Sequence, residues 1–522
     1  MGCGRLEPVR FGPGRHAHLW RCGRQLERVR RRQALAFERH RCGLQSLEHG
    51  EPARQRRVSV EVLQHQSGKA LVARKVYRYL WVATALAIMG VLLAFSYDSV
   101  RQSKGSFSVL LENYVLAILT LYLLFFLLLL VIRYAVLILY SFMDHLEGLY
   151  TKREETVSPK YNEESSLPMI SLVVPAYNEG VVIQAAIRSL LLLDYPNYEI
   201  IVIDDGSTDD TYEKAIAVAR EQTKIPVRVV TKRNGGKAEA LNTGMSLARG
   251  EFVLNMDGDS KLSRNTLRAC IRHFENPRIG AVAGNVKVIN RENIWTNIQA
   301  LEYVEGLAMA RKAQSFMRSV NIIPGPLGMF RKTVLQQVGG YDHDTFAEDC
   351  DLTLKLLMQG WHIAYEPTAI AWVETPSRLL DLLKQRYRWT RGILQATSKH
   401  SAALWQPRKA GVNCFILWYM LFEAIMWPFS TILGNLFFGY VGIRYGLAVL
   451  LFYWWLQLTI LDVVAAAYCI VIEEEEPSLI FYSVMFRLFY INIIDVSKVL
   501  ATIEEWRGHT MTWGKLDREG KL

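Results

Sequence analysis

The sequence is poor in cysteine, and its cysteines form no familiar pattern. Seven occur among 522 residues, an odd number, and no CxxC pair is present. Zinc-binding modules place their ligands in closely spaced pairs, and secreted disulfide frameworks use an even number of cysteines. The sequence therefore supports neither class of protein, and we expect reduced cysteines in a chain that faces the cytoplasm.

Lysine is missing from residues 1–57, which contain fourteen arginines and five glutamates and carry a formal charge of +9. The rest of the chain has 47 basic and 45 acidic residues, so the basic surplus is confined to this segment. It has no regular apolar period and no apolar core of a signal peptide. We expect a disordered leader, or a translation start placed too far upstream. An arm that binds nucleic acid or lipid is the alternative.

Long apolar runs are absent from the middle of the sequence but occur on both sides of it. Two early runs cover 80–95 and 114–132, and each approaches the ~20 residues that cross ~30 Å of hydrocarbon. The polar loop between them is too short to be a domain. Residues 75–142 are therefore predicted to form a transmembrane hairpin, followed by a polar linker at 151–168.

Three more apolar runs follow residue 410, over 413–433, 446–472 and 479–503. The third is more polar, and its composition suits either a membrane crossing or a position in the interface. Three crossings would place the end of the chain opposite the central domain, whereas a fourth within 434–445 would place it on the same side. The basic tail favours the inner side. The sequence thus leaves the number of crossings open.

Between the apolar regions, short β-branched runs alternate with helical patterns. The expected strands are 170–177, 199–207, 227–232 and 251–260, and the expected helices are 181–193, 209–222 and 237–250. Strands that alternate with helices of this length are typical of a mainly parallel sheet covered by helices. The middle of the chain is therefore predicted to be an α/β domain.

Two of the expected strands end on pairs of acids, Asp204 and Asp205 in the first and Asp257 and Asp259 in the second. Ligands of open α/β sheets bind beyond the carboxyl ends of the strands. Carboxylates there suit a hard divalent cation, which also binds phosphate oxygens. The D-x-D spacing puts both carboxylates on one side of an extended chain, and Gly258 lets a ligand approach closely. An ordinary turn is the alternative.

The segment NGGKAEALN places Gly235 and Gly236 before Lys237, where a helix is expected to begin. Backbone N–H groups at a helix start, together with a lysine, favour an anion. The spacing of a Walker loop is absent. A simple helix-capping turn would explain the same residues.

Acids also cluster in FAEDCDLTL, where Glu348, Asp349 and Asp351 stand at an expected helix start. Acids in a first turn are stabilised by the helix dipole, which is a purely structural explanation. The functional interpretation is a general base, because a carboxylate in a pocket can accept a hydroxyl proton.

Three arginines, a glutamine and a tryptophan are concentrated in QRYRWTRG, residues 385–392, shortly before the late apolar runs. Leucines among basic residues at 379–383 indicate an amphipathic helix in the membrane interface. If these residues only anchored that helix at the membrane surface, their positive charge would be sufficient. Planar guanidinium groups suit diphosphate oxygens, so a grip on an anionic ligand is the second interpretation.

Taken in order, VVPAYNEG, IDDGSTDD, GGKAEALN, DGDS, AEDCD and QRYRW resemble the motifs of membrane-embedded, processive family 2 glycosyltransferases. That family includes the cellulose, chitin, hyaluronan and poly-N-acetylglucosamine synthases. The resemblance covers about 75–520 and implies an α/β GT-A (nucleotide-diphospho-sugar transferase) cytoplasmic domain inserted between transmembrane helices. The implied divisions are a leader at 1–57, a hairpin at 75–142, a linker at 151–168, the GT-A domain at 169–375, an interfacial region at 376–410, a transmembrane region at 411–503 and a tail at 504–522.

The resemblance implies a UDP-sugar donor and assigns residues to it. Asp205 would contact the nucleoside, with Ala176, Tyr177 and Glu179 nearby. Lys237 would approach the diphosphate.

The resemblance further implies a metal site and a catalytic base. Asp257 and Asp259 would hold Mg²⁺ or Mn²⁺, with Asp259 as the more direct ligand and Asp257 also near the donor. Asp349 matches the base of the family's acidic element, whose first position is here Ala347, a departure that does not touch the acid.

The Q-x-x-R-W element is matched by Gln385, Arg388 and Trp389, which the resemblance places at the donor. We predict that Arg388 grips the departing diphosphate and that Trp389 packs on the acceptor sugar. Arg386 and Arg391 are interpreted as contacts to lipid headgroups.

The acceptor wall is expected within 319–342, at Gly325 and Pro326 next to Pro324, with Glu348 and Trp389 also contacting the acceptor. Asp349 would deprotonate an acceptor hydroxyl that attacks the anomeric carbon, so that an α-linked donor gives a β-linkage. The expected product is a β-linked polysaccharide, best matched by poly-N-acetylglucosamine made from UDP-GlcNAc and passed across the membrane.

Other functions remain open. Cellulose- or hyaluronan-type synthesis, a single transfer to a lipid, and a non-catalytic export subunit are the alternatives, the last being the least favoured because all the acids are present. The partners implied are the donor, the growing polysaccharide, the lipid bilayer and a small accessory membrane subunit, with no nucleic acid. The implied location is the plasma (inner) membrane, multi-pass, with a cytoplasmic catalytic domain.

Overall fold

The computed structural model describes residues 107–154, 167–221, 224–407, 411–508 and 520. The arginine-rich leader at 1–57, the apolar run at 80–95, most of the linker at 151–168 and most of the tail after 508 lie outside the described residues. The first half of the predicted hairpin is therefore not described.

Eight strands form one sheet in the order β3-β2-β1-β4-β7-β6-β8-β5. The strands are β1 Ile170–Ala176, β2 Tyr198–Asp204, β3 Val227–Thr231, β4 Phe252–Asn255, β5 Ser260–Leu262, β6 Ile279–Val288, β7 Gly328–Arg331 and β8 His362–Val373. The first four pair in parallel, as do β6 and β8. β7 is antiparallel to both β4 and β6, and β5 is antiparallel to β8.

Among the described residues from 167 to 400, nine α-helices accompany the sheet. They are α2 Ile183–Leu190, α3 Thr211–Glu221, α4 Lys237–Leu247, α5 Thr266–His273, α6 Ile294–Glu302, α7 Ala310–Phe316, α8 Lys332–Gln337, α9 Glu348–Met358 and α10 Leu379–Lys399, with a π-helical turn Tyr303–Met309 between α6 and α7. All seven elements expected between residues 170 and 260 are present, with ends that differ by a few residues.

The central strands are buried over their whole length, which explains their continuous apolar sequences. Every residue of β1 (ISLVVPA) and β2 (YEIIVID) is buried. Alternate side chains enter different cores: Leu172 and Val174 belong to one cluster, and Val173 to another on the opposite face. Strands covered on both faces carry β-branched runs instead of alternating ones, as parallel sheets do.

The remaining helices are apolar, and several of them join through short π-helical turns into longer stretches. They are α1 Phe107–Glu154, α11 Val412–Leu421, α12 Trp427–Tyr445, α13 Ala448–Ile472, α14 Ile480–Met485 and α15 Ile491–Arg507, with a 3-10 helix at Pro477–Leu479 and π-helical turns at Phe422–Met426 and Phe486–Tyr490. Among the described residues, four stretches have the length and composition to cross a membrane: Leu111–Gly148, Val412–Tyr445, Ala448–Ile472 and Pro477–Arg507.

Candidate active site

The loops at the carboxyl ends of β1 and β2 begin the site. Ala176 ends β1 opposite Asp204 in the parallel register, and the backbone N–H of Asp205 donates to the carbonyl of Ala176 at 2.9 Å. Tyr177, directly after the strand, is 42 % exposed. The carbonyl of Glu179 accepts from the N–H of Ile183 at 2.9 Å and so begins α2. The predicted donor residues are therefore grouped at one edge of the sheet.

Asp205 holds the glycine turn that follows β3. Its Oδ1 accepts from Lys232 Nζ at 2.7 Å and from the N–H of Gly235 at 3.1 Å, and its Oδ2 accepts from the N–H of Gly236 at 2.8 Å. Gly236 has φ +88°, a conformation that favours glycine. These hydrogen bonds of the buried carboxylate are made within the protein, and they fix the glycine turn that places Lys237. Its contact with a nucleoside stays a prediction.

Lys237, the first residue of α4, bridges two acids from distant parts of the chain. Its Nζ lies 2.8 Å from Asp257 Oδ1 and 2.9 Å from Glu348 Oε1. Burial alone would lower the pKa of Lys237, but the charges of Asp257 and Glu348 raise it well above its ordinary value. The lysine is therefore a fixed cation in the site.

Gly325 lies directly against this ion pair. A Cβ atom at residue 325 would lie 2.9 Å from Lys237 Nζ and 3.0 Å from Asp257 Oδ2, which is too close for carbon. The predicted acceptor wall thus reaches Lys237 and Asp257 because residue 325 has no side chain.

Asp349 stands in the first turn of α9, beside Glu348. Burial and the neighbouring charge of Glu348 raise the pKa of Asp349 to about 6. Its Oδ1 accepts from the N–H of Cys350 at 2.8 Å. A carboxylate with a raised pKa is a stronger proton acceptor than an ordinary aspartate, and it is still largely ionised at neutral pH.

One pocket brings these groups together. It is lined by Lys237, Leu241, Asn255, Ile323, Pro324, Gly325, Gly328, Phe330, Tyr341, Glu348 and Asp349. Four of the predicted site residues line it: Lys237, Gly325, Glu348 and Asp349. Asp257 reaches it through its ion pair with Lys237, whereas Pro326, Asp259 and the residues of α10 are not part of the lining.

Asn255 and Tyr341 line the pocket but carried no sequence signal that we used. The side-chain amide of Asn255 donates to the hydroxyl of Tyr341, and Asn242 bonds both the N–H and the carbonyl of Tyr341, at 2.9 and 2.8 Å. Burial raises the pKa of Tyr341, so its hydroxyl stays neutral. The position of Asn255, at the end of β4 and two residues before Asp257, is the signal that could have identified it.

Within the part of the chain that the structure describes, one trio of carboxylates has atoms close enough to share a cation: Asp342, Asp344 and Asp351. Lys399 Nζ lies among them, at 2.5, 2.8 and 2.9 Å respectively. Asp351 also bonds His400 Nε2 at 2.9 Å. The ammonium groups of Lys399 and Lys355, which lies 2.7 Å from Asp342, therefore balance most of the charge of this trio, and Lys399 fixes the end of α10 to α9. The trio does not replace Asp257 and Asp259 as the predicted metal motif.

Arg386 and Arg391 do not extend to lipid headgroups, so that interpretation is wrong. Arg386 is 3 % exposed, and its Nε and Nη2 lie 3.3 and 2.5 Å from the carboxylate of Glu302. Arg391 is also 3 % exposed, and its Nε lies 2.8 Å from Glu505. The sequence could not reveal these pairs, because each partner lies more than eighty residues away.

The other residues of the Q-x-x-R-W element lie on the same helix, α10. Gln385 Oε1 accepts from Arg386 Nη1 at 2.6 Å, and Trp389 lies 4.2 Å below the guanidinium of Arg386. Arg388 is half-buried. The contacts of Arg388 and Trp389 with substrate stay predictions.

α10 packs directly on the segment that precedes the predicted base. A Cβ atom at Gly392 would lie 2.6 Å from the Cβ of Ala347, and Gln395 Oε1 accepts from the N–H of Phe346 at 3.1 Å. The helix with the Q-x-x-R-W element therefore contacts the start of α9, two residues from Asp349.

Comparisons with known proteins concern the domain that carries this pocket. Residues 168–392 match a sequence model of the family described as "Glycosyltransferase like family 2". The fold resembles that of a mannosyltransferase from Pyrobaculum calidifontis, solved with GDP-mannose and Mn²⁺, at a TM-score of 0.50 and 19 % identity, covering 72 % of this chain and 99 % of that one. Residues 168–392 thus match family 2 glycosyltransferases in sequence, and the fold is of the GT-A type.

The similarity to curated proteins is more specific. A poly-β-1,6-N-acetyl-D-glucosamine synthase of Staphylococcus epidermidis is 32 % identical over 272 residues, which cover 52 % of this chain and 65 % of that protein. A second synthase of that name from S. epidermidis is 28 % identical over 375 residues, which cover 68 % and 89 %. The chain is therefore similar to bacterial poly-N-acetylglucosamine synthases of this family.

Proposed function

We propose that this glycosyltransferase is processive and inverting, and that it builds a β-linked poly-N-acetylglucosamine from UDP-GlcNAc and passes the polymer across the membrane. The observation that carries the proposal is the pocket in which Asp349, with its raised pKa, lies beside Lys237 and Asp257 at the carboxyl edge of the sheet. The similarity to staphylococcal poly-β-1,6-N-acetyl-D-glucosamine synthases supports the choice of polymer.

Each of these residues has its own role in the transfer. Asp349 accepts the proton of the acceptor hydroxyl, which then attacks the anomeric carbon as the bond to UDP breaks. The fixed cation of Lys237 and the guanidinium of Arg388 balance the charge on the departing diphosphate. The segment around Gly325 and Pro326 holds the acceptor, and Trp389 offers it an apolar face.

Asp257 and Asp259 fit a divalent cation by the chemistry of their donors. Both follow β4, where carboxylate oxygens are available for Mg²⁺ or Mn²⁺ and for the phosphates that such ions also bind. Asp257 shares Lys237 with Glu348, so a diphosphate held there would meet the lysine and the metal-binding acids at one place. A bound ion would supply further positive charge to the leaving group.

The proposal also covers the location of the domain at the membrane. The apolar helices on both sides of the catalytic domain would hold it at a bacterial plasma membrane with its pocket in the cytoplasm. An accessory membrane subunit stays a prediction.

The test uses the purified full chain in lipid nanodiscs with Mg²⁺ or Mn²⁺. UDP release is compared for UDP-GlcNAc, UDP-glucose and UDP-GlcA, and the product is separated by solubility and digested with linkage-specific hydrolases. We expect release from UDP-GlcNAc and an ethanol-insoluble product that a β-1,6-N-acetylglucosaminidase degrades. Asp349→Asn is the matched inactive control.

Other outcomes would assign the protein differently. A polymer made from UDP-glucose, or from UDP-GlcA together with UDP-GlcNAc, would indicate a cellulose- or hyaluronan-type synthase. A product soluble in organic solvent would indicate a single transfer to a lipid. No UDP release from any of these donors would contradict the proposal.

A further inference from the structure

The helical segment Pro477–Arg507, called here the C-terminal helix, has the length and composition of a membrane crossing. At the ordinary rise of ~1.5 Å per residue it is ~45 Å long, more than enough to cross ~30 Å of hydrocarbon. A crossing would place its two ends on opposite sides of the bilayer. The contacts of the two ends decide whether it does so.

The beginning of the C-terminal helix is fixed to the catalytic domain by acids that precede it. Glu475 lies 2.9 Å from Lys287 Nζ and 2.7 Å from Arg291 Nη1, and Glu473 lies 2.6 Å from Lys312 Nζ. Lys287 is in β6, so this loop contacts the sheet that carries the active site. The side chains of both acids are only 6 % exposed.

The far end of the C-terminal helix is fixed to the same domain. Glu505 Oε2 accepts from Arg391 Nε at 2.8 Å and from Gln395 Nε2 at 3.0 Å. Glu504 accepts from the hydroxyl of Tyr387. All three donors lie on α10, the helix with the Q-x-x-R-W element that follows β8.

The middle of the C-terminal helix also packs on the catalytic domain. The hydroxyl of Tyr490 donates to Glu302 Oε2 at 2.7 Å, and Tyr490 and Ile494 form a buried cluster with Ile298 of α6 and Leu382 of α10. The helix therefore runs alongside α6 and α10 from its first turns to its last.

The opposite face of the C-terminal helix is apolar and exposed. Counted from the first of them, the exposed apolar side chains follow at 3, 4, 7, 8, 15, 19 and 25 residues, which places them on one side of a helix: Phe481, Val484, Met485, Leu488, Phe489, Val496, Leu500 and Trp506. Phe481 is 76 % exposed and Leu500 is 52 % exposed. In water such a stripe would be an aggregation hazard, whereas acyl chains would cover it.

We infer that the C-terminal helix lies in the membrane interface, with this apolar stripe on the lipid, and does not cross the bilayer. Both ends must then lie on the side of the catalytic domain, because ion pairs attach both of them to it. The chain consequently crosses the membrane twice after α10, through Val412–Tyr445 and Ala448–Ile472, and passes Gly508 on the catalytic side. This inference is independent of the sugar or linkage proposed above.

Cysteine labelling in sealed vesicles tests the side of each end. In the full chain with Cys3, Cys22 and Cys42 changed to Ser, single variants Glu213→Cys, Leu447→Cys and Arg507→Cys are exposed to an impermeant maleimide. The four described native cysteines are buried. We expect Glu213→Cys in the catalytic domain and Arg507→Cys to label from one face, and Leu447→Cys, in the turn between the two crossings, from the other.

Labelling of Arg507→Cys from the same face as Leu447→Cys would overturn the inference. If a cysteine variant does not fold, a fluorescent or phosphatase reporter fused after Leu522 of the unchanged chain reports the same side. A phosphatase reporter active on the side opposite the catalytic domain would equally overturn the inference.

Spin-label depth is a second, independent measurement. Labels at Phe481, Leu488 and Val496 should all lie at similar shallow depths, by accessibility to oxygen against a water-soluble nickel complex. Exposed positions of the neighbouring crossing, Phe452, Ile460 and Val471, serve as the matched control and should include one deep position. A depth maximum at Leu488 as large as that at Ile460 would contradict an interfacial helix.

Discussion

At the scale of single residues, the site depends on charges placed where water is largely excluded. Lys237 is paired with Asp257 and Glu348, and it stays cationic because of them. Burial, together with the charge of Glu348 beside it, raises the pKa of Asp349, although the charge of Lys237 acts in the opposite direction. One carboxylate of the adjacent pair thus neutralises the lysine, and the other is left to accept a proton.

Replacing the base should separate activity from stability. Asp349→Asn keeps the shape and the acceptor oxygen of the side chain but cannot take a proton, so turnover should fall by ~10²–10⁴. Since the raised pKa means that the ionised form is disfavoured in the folded state, the protein loses stability as the pH rises from the ordinary carboxyl pKa of ~4 through about 6, and this loss is complete above that value. At pH 7.5 the variant should therefore unfold at a temperature no lower than the parent. Retained polymer synthesis would show that another group is the base.

The pH dependence of the parent enzyme follows from the same carboxylate. Burial and Glu348 raise the pKa of Asp349 to about 6, so the fraction of ionised base falls as the pH drops below that value. We expect kcat/KM to decrease tenfold per pH unit on the acid side of about pH 6. A profile that stays flat down to pH 4.5 would contradict this assignment of the base.

The absence of a side chain at residue 325 should also matter for activity. Gly325→Ala would place a methyl group 2.9 Å from Lys237 Nζ and 3.0 Å from Asp257 Oδ2, so the ends of these two side chains would have to move away from it. We expect a rise in KM for the donor and a loss of turnover, measured by UDP release. Gly306→Ala is the matched control, because a Cβ there meets no heavy atom within 4 Å, and it should leave both parameters nearly unchanged.

At the scale of elements, α10 joins the predicted donor site to the base. It packs against the start of α9 through Gly392 and Gln395, and Lys399 and His400 at its end hold Asp351 of α9. The buried pair of Arg386 and Glu302 fixes the same helix to α6. A shift of α10 would therefore move the Q-x-x-R-W element and the base together.

Replacing Arg388 should reduce activity, whereas replacing Arg386, on the same helix, should reduce stability. Arg388→Lys keeps the charge but not the two-pronged donor geometry, so we expect most activity to be lost with an unchanged unfolding temperature. Arg386→Ala would leave the carboxylate of Glu302 without its buried partner, and we expect a loss of ~3–5 kcal/mol of stability. Activity assays and thermal unfolding in detergent distinguish the two. Full activity of Arg388→Lys would show that Arg388 contributes only its positive charge.

At the scale of the whole molecule, buried ion pairs attach the helical region to the catalytic domain. Burial alone would raise the pKa of Glu475, but hydrogen bonds from Arg291 and Lys287 hold it below its ordinary value. The loop after α13 is therefore a charged contact that connects the sheet to the apolar helices.

Reversing one charge in that loop should weaken the connection. Glu475→Lys would put three cations together, with Lys287 and Arg291, and should lower the unfolding temperature by several degrees. Adding Lys287→Glu should restore part of it, because one opposite-charge pair is re-formed. Glu221→Lys is the control, since the pair of Glu221 and Arg188 is solvent-exposed and contributes ~0–1 kcal/mol. An unchanged midpoint for Glu475→Lys would show that this contact does not stabilise the protein.

Local patterns predicted the elements and the order of the motifs. The apolar periods between residues 170 and 260 predict strands and helices because each period depends only on which side chains of a short stretch face the core. They did not predict β7, which enters the sheet antiparallel between β4 and β6 from more than seventy residues away. They also missed Tyr341, whose place in the pocket depends on bonds to Asn242 and Asn255.

The sequence by itself determined the class of the domain, the acids at the strand ends and the lysine after the glycine turn, since each depends on a short stretch of chain. Only the tertiary structure decided which charged side chains form ion pairs within the protein. It paired Arg391 with Glu505, 114 residues away, and so turned an expected headgroup contact into an anchor for the C-terminal helix. Hydrophobicity reports how readily a segment enters lipid, but which side each end occupies depends on partners that only the folded chain brings together.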